Sequence, residues 1–401
     1  KHFTLIPSEF AAAGYGYPSL GTLNQSWGEF TGRFAANWTP KLDFTDQTLI
    51  YGSYSHGYKA GGANPPGAVL LTADFGSDTN PLHPKTFAPE FIDAFELGTK
   101  NMLLDGGLTF NASAFYYNYT GYQISELVDR TAINLNFDAK VKGVEVETTW
   151  EPLPGLKFNF SGGWEDTSLD NGSQAIDLMD RTAGNSGWII VKPGITEASN
   201  CILPTYVAAI TGGAVSGGSA NNVSVCAHTY EDHVDPVTGL PYNPTDHMTI
   251  NSQGGFVTPP AGYPGFDPLG APNNGQGFDK QLGGNELPNA PPLTVSAGAQ
   301  YTMPLTTDWA GTVRADYYWQ DYSWARVFND NPYDRLRGYT NVNLTFIFTN
   351  QNGWQVMLYD KNVFNTTAIT GAFLNTDDSG LTTNVFLTDP KLIGIRVTKN
   401  W

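Results

Sequence analysis

The sequence predicts an all-β fold, a transmembrane antiparallel β-barrel. Three observations point there. Apolar and polar residues alternate over stretches of about ten residues, the length of a tilted strand crossing a bilayer. Short and long connections take strict turns along the chain. Tryptophans gather at the strand ends beside the short connections.

The elements follow in order. In the first stretch Phe30, Phe34, Ala36 and Trp38 oppose Glu29, Thr31, Arg33 and Asn37. Leu108, Phe110, Ala112, Ala114 and Tyr116 interleave with Thr109, Asn111 and Ser113, and Val144, Val146 and Trp150 oppose Glu145, Glu147 and Thr149. Leu156, Phe158, Phe160 and Trp164 alternate with Lys157, Asn159, Ser161 and Glu165. The same pattern recurs from Leu293 to Met303, from Val342 to Phe348 and from Ile393 to Trp401. About eleven strands result, near 28–39, 47–59, 89–101, 107–121, 138–151, 155–166, 290–303, 309–322, 337–349, 353–364 and 389–401. A soluble β-sandwich also alternates, but its strands are usually near five or six residues.

Five connections are short: 40–46, 102–106, 152–154, 304–308 and 350–352. They sit among turn formers such as Pro40, Asp105-Gly106-Gly107, Pro152-Leu153-Pro154 and Asn352-Gly353. The long ones are 60–88, 122–137, 167–289, 323–336 and 365–388. Outer-membrane barrels have this asymmetry, with short periplasmic turns and long extracellular loops. Trp38, Trp150, Trp309, Trp354 and Trp401 then fall at the periplasmic end on the lipid-facing parity, as a membrane-interface girdle. Eleven is odd, single-chain bacterial barrels are even, and 1–27 falls on the extracellular side. The sequence therefore reads as the C-terminal part of a longer chain.

Composition agrees. Lys and Arg number 21 against 38 Asp and Glu, a net charge of -17, which opposes a nucleic-acid partner. Aromatic residues make up 13% of the chain, too many for an acidic disordered segment. No run of about 18 apolar residues occurs. The long loop 167–289 holds eleven acids and three bases, so its net charge is -8. That acidity disfavours a strongly anionic ligand and suits divalent cations shared with the lipopolysaccharide surface.

Cys201 and Cys226 are the only cysteines. A disulfide closing a loop of about 25 residues is the natural extracellular reading. Two free thiols, or a metal site drawing on His228, Glu231, Asp232, His233, Asp235 and His247, are the alternatives. No resident metal or cofactor is expected. Glu145 and Glu147 share a lumen face, as do Arg314 and Asp316; they line a hydrated interior rather than form a catalytic pair. No Gly-x-Ser-x-Gly elbow is present, and Lys59-Ala60-Gly61-Gly62 leads into Asn64-Pro65-Pro66 rather than a phosphate-binding helix. No enzyme is expected. Strand-end positions make Tyr58, Asn64, Tyr122, Gln123, Tyr322, Trp324 and Arg326 the substrate-binding candidates.

Several stretches resemble the C-terminal half of a TonB-dependent outer-membrane receptor. They are Leu49 to Gly62 (LIYGSYSHGYKAGG), Pro89-Glu90 with Phe95-Glu96-Leu97-Gly98-Thr99-Lys100, Leu108 to Tyr119 and Gly143 to Glu147. Leu287-Pro288-Asn289-Ala290-Pro291, Lys361-Asn362-Val363-Phe364-Asn365 and the terminal aromatic Trp401 complete the set. The resemblance implies about eleven strands of a 22-stranded plugged barrel over 1–401, with the plug and first strands upstream. It implies a monomer in the outer membrane of a Gram-negative bacterium, in contact with lipid and lipopolysaccharide. It implies TonB contact through the upstream part and recognition of Trp401 by the barrel assembly machinery. The expected function is TonB-energised uptake of a large scarce solute, of the iron-siderophore, cobalamin or glycan class. A passive porin-like channel and a soluble secreted glycan-binding β-protein are the competing readings.

Overall fold

The computed structural model describes residues 2–4, 22–64, 86–128, 131–191, 200–210, 249–250, 256–257, 271–375 and 380–400. Eleven strands form one antiparallel meander, each paired with its neighbours in chain order. They are β1 (Gly32–Trp38), β2 (Gln47–Lys59), β3 (Glu90–Leu103), β4 (Leu108–Val128), β5 (Thr131–Leu153) and β6 (Leu156–Leu169). Then come β7 (Leu293–Pro304), β8 (Trp309–Gln320), β9 (Tyr339–Asn350), β10 (Trp354–Lys361) and β11 (Leu392–Lys399). The sheet is open, with β1 and β11 at its edges.

Cross-strand register turns the alternation into two chemically distinct faces. Phe110, Thr148, Phe160, Ala297, Tyr317 and Val342 lie opposite one another across β4 to β9. One residue along, the row reads Asn111, Glu147, Ser161, Ser296, Tyr318 and Asn341. The first row belongs to an outward face where Phe34, Leu97, Phe346, Ile393 and Ile395 are all exposed. A soluble sheet would not leave such a band uncovered. In a bilayer it is the solvated face. The second row is inward and hydrogen-bonded: Tyr51 donates to Glu96 at 2.5 Å, and Arg314 grips Asp316. Arg314 also reaches across β7 to Asn159 on β6 at 3.2 Å.

Tight turns close the short-connection end. Gly155 joins β5 to β6 with φ +82°, and a Cβ there would collide with the Thr302 carbonyl. Only glycine fits. Of the girdle tryptophans, Trp38, Trp150 and Trp354 are exposed at this end, and Trp309 is half-buried as the first residue of β8. Trp150 packs on Phe158 at 5.8 Å, and the Lys399 ammonium lies 5.5 Å from the Trp354 ring centroid. Trp401 lies outside the described residues.

One sequence expectation is corrected. Residues 122–137 are not a long loop: β4 and β5 run on as a paired hairpin to Val128 and Thr131. The reason is a bulge. Between Tyr119 and Tyr122 the pairing admits one extra residue on β4. Gly121 occupies it with φ +67°, donating its N–H to Asp138 at 2.8 Å and accepting from the Asn136 amide at 2.6 Å. A Cβ on Gly121 would meet the Pro89 carbonyl at 2.9 Å. A bulge shifts the strand's parity by one residue. Below it Phe115, Tyr117 and Tyr119 face inward; above it Tyr122, Ile124 and Glu126 do. A bilayer needs only about ten residues of a tilted strand, so the upper halves of β4 and β5, 21 and 23 residues long, stand beyond it.

The two faces make a direct forecast. Phe346→Lys, outward on β9, is expected to destabilise the folded barrel by about 2–4 kcal/mol. Thr345→Lys, one residue away and inward, is expected to cost far less. Denaturant titration of vesicle-reconstituted protein measures both; equal losses would contradict the assignment.

Candidate functional site: a cavity under the folded loops

The tall hairpin presents an apolar stripe inward, above the membrane. Ile133, Phe137, Ala139 and Val141 of β5 and Ile124 of β4 are buried. The connections from other strands fold over this stripe and bury Leu169, Ala175, Leu282, Leu287, Val327 and Phe328 against it. Short two-stranded pairings stiffen those connections: Gln174–Ile176 with Asp279–Gln281, Ser323–Trp324 with Arg335–Leu336, and Ile369–Leu374 with Thr383–Leu387.

Ion pairs tie the cap together. Arg326 donates from Nη1 to Asp177 at 2.7 Å, and from Nε and Nη2 to Asp334 at 2.9 and 2.6 Å. Its guanidinium lies 5.0 Å from the Phe328 ring centroid. Asp177 is 1% exposed, so its charge depends on these donors. Lys280 reaches Asp177, Asp180 and Asp330 at 3.3, 2.9 and 2.7 Å. Burial alone would lower the Lys280 pKa; the surrounding carboxylates, Asp330 and Asp180 foremost, raise it instead.

Beneath the cap lies a cavity of about 350 Å³. Tyr122, Ile124 and Glu126 of β4 form one wall; Arg326 to Phe328, Ile176 with Leu178, and Phe373 form the others. Glu126 is the anomaly. It stands in the apolar stripe opposite Ile133. Its Oε1 is sealed and has no hydrogen-bond partner. Burial pushes its pKa up to about 8, with Arg326 opposing and Asp177 adding to the rise.

The structure gathers Tyr122, Gln123 and Arg326 around this cavity. The Gln123 amide is committed to the carbonyls of Ala60 and Ala88, at 3.1 and 3.0 Å. Tyr322 and Trp324 lie on the segment leading to Arg326. The Tyr322 hydroxyl donates to Glu286 at 3.0 Å, and Arg335 covers its ring at 4.2 Å. The Trp324 carbonyl accepts the Asn289 N–H at 2.8 Å. Asn64 is buried and bonds both main-chain groups of Asn134, so it braces the hairpin. Tyr58 is not at the cavity: it shares the outward parity of Tyr54 and packs beside Phe91. Cys201 is buried and disulfide-bonded. Cys226 lies outside the described residues, as do His228, Glu231, Asp232, His233, Asp235 and His247. Sequence reasoning missed Glu126. The available signal was an acid at every-second-residue spacing from Tyr122 and Ile124.

Residues 6–194 match the sequence family described as TonB dependent receptor-like, beta-barrel. That stretch of the chain is similar to the TonB-dependent receptor β-barrels. Its fold is similar to that of the ferric yersiniabactin uptake receptor FyuA from Yersinia pestis: TM-score 0.51, 14% identity, 92% of this chain and 36% of that one. The siderophore receptor PiuA from Acinetobacter baumannii gives TM-score 0.47 and 13% identity over 92% of this chain and 35% of that one. The pyoverdine outer membrane receptor FpvA from Pseudomonas aeruginosa PAO1 gives 0.46 and 14% over 95% and 38%. The chain thus spans about a third of the length of the solved receptors it matches. No curated protein matches it. The family and these structures are transport receptors rather than enzymes, and the family's place is the outer membrane of Gram-negative bacteria.

Arg326→Met tests the loop cap. The change strands Asp177 and Asp334 as buried, poorly compensated charges, at a local cost of about 3–5 kcal/mol. Hydrogen exchange is expected to show lost protection at 174–180 and 323–336, with β8 and β9 unchanged. Undiminished protection of both loop segments would show that the ion pairs do not hold the cap.

Proposed function

We propose that the protein captures a large scarce solute of the iron-siderophore, cobalamin or glycan class at the cell surface, for TonB-energised uptake. The observation that carries this reading is the inward fold of the loops onto the β4–β5 stripe. A passive pore needs a clear lumen; here the mouth is occupied by a packed cap with a cavity beneath it. Aromatic and polar groups at that cavity suit solute binding rather than bulk diffusion.

The rest of the assembly follows from the family and from physics. In lipid the free edges of β1 and β11 require pairing. A 22-stranded barrel, of which 1–401 form the C-terminal part, supplies it, with a plug and the TonB-contacting segment upstream. Lipid and lipopolysaccharide cover the outward band around a monomer. Trp401 serves the barrel assembly machinery, and Cys226 is the partner of Cys201. No covalent chemistry is involved.

Growth of a deletion strain on defined iron and carbon sources tests the reading. Loss of growth confined to low iron selects the siderophore class; loss confined to one carbon source selects a glycan. Unimpaired growth, with undiminished solute accumulation in every condition, contradicts the uptake role.

A further inference from the structure

The chemistry of the cavity narrows the solute. Its walls are largely apolar, with Ile124, Ile176, Leu178, Val327, Phe328 and Phe373 among them. Among the described residues its one cationic group is Arg326, which spends donors on Asp177, Asp334 and the Met179 sulfur. The ionic cluster behind the wall sets two cations, Arg326 and Lys280, against four carboxylates, Asp177, Asp180, Asp330 and Asp334. Its net charge is therefore -2 before Glu126 ionises. Among the described residues the Glu126 Oε1 atom is sealed without a hydrogen-bond partner. A sealed carboxyl oxygen without a partner is costly, and a bound donor repays that cost.

We propose that this cavity is a subsite for a protonated amine carried on an aromatic or aliphatic body, with Glu126 as the counter-ion and the apolar walls holding the body. The negative surroundings attract a cation and repel an anionic group. The volume admits a single ring with a short amine arm, so the subsite takes one arm of a larger solute. An amine brought beside Glu126 favours its charged form. Below about pH 8 binding must therefore expel the Glu126 proton. Affinity for the amine then rises as pH goes from 6 to 8; the charged groups on the facing segments are Arg326, Asp177, Asp334 and Lys280.

The inference deepens the uptake reading and rests on it for the amine's being part of a cargo, but its test does not use transport. The full-length protein is purified in detergent and titrated calorimetrically with 2-phenylethylamine, 2-phenylethanol and phenylacetate. Wild type is expected to prefer the amine over phenylacetate by at least tenfold. Glu126→Gln is expected to weaken the amine at least tenfold and leave 2-phenylethanol within about twofold; Phe373→Ala is expected to weaken both. Heat-dependent mobility in detergent gels reports whether each variant is folded. If Glu126→Gln does not fold, the amine-against-phenylacetate comparison on wild type decides alone. Equal binding of amine and phenylacetate, no amine binding by folded wild type, or an unchanged amine affinity in folded Glu126→Gln overturns the proposal. Amine binding in a protein whose deletion leaves uptake intact would keep the subsite and drop the receptor role. An uptake defect without amine binding would do the reverse.

Discussion

Hydrocarbon offers no water to a backbone amide, so each N–H and C=O of a spanning strand must find its partner on a neighbouring strand. That constraint fixes the strands in a continuous antiparallel ladder, and the ladder makes residue parity a matter of location. Odd and even positions of β4 differ by one residue in sequence and by the full contrast between lipid and lumen in surroundings. The outward row through Phe110 and Phe160 and the inward row through Asn111 and Glu147 are consequences of the same register. Nothing else in the molecule, the loop cap included, has a defined place until that register is set.

Gly121 is where the protein changes the rule. A single extra residue flips the parity of β4 above the membrane and turns Tyr122, Ile124 and Glu126 inward. Were the parity unbroken, Gln123 and Ser125 would face the mouth, and the loops would meet a polar surface. With the flip they meet an apolar one and fold onto it, and the ion pairs of Arg326 and Lys280 lock them down. Burial of apolar area drives the docking; the salt bridges select one arrangement at a desolvation cost that only full pairing offsets.

Much of this was legible in the sequence, and the limits have physical causes. Period-2 alternation placed all eleven strands, because a lipid-facing row tolerates few polar residues. Connection lengths distinguished the two ends of the strands, and strand-end position picked out Tyr122, Gln123 and Arg326, which the fold brings to one cavity. The upper hairpin was not legible. The Thr120-Gly121 step breaks the alternation, and Asn134 and Asn136 between apolar residues read as loop once the pairing partner is unknown. Glu126 was hidden for the same reason: its face depends on a bulge whose existence depends on Asp138 and Asn136 across the ladder. Tyr58 is placed elsewhere. It sits at a strand end as expected, but its parity points it outward beside Phe91. The ion pairs of Arg326 join residues up to 149 positions apart, which no local pattern encodes.

The central claim is that β4 passes from lipid to the outside with one parity change at Gly121. Single-cysteine accessibility on intact cells tests it most directly, in a background without free thiols and with a membrane-impermeant maleimide. The account predicts labelling at Ser125, protection at Ala112 and Ala114, and quenching of fluorophores at those two by lipid-borne quenchers. Labelling of Ala114 as fast as Ser125, or quenching at Ser113 equal to that at Ala114, would contradict it.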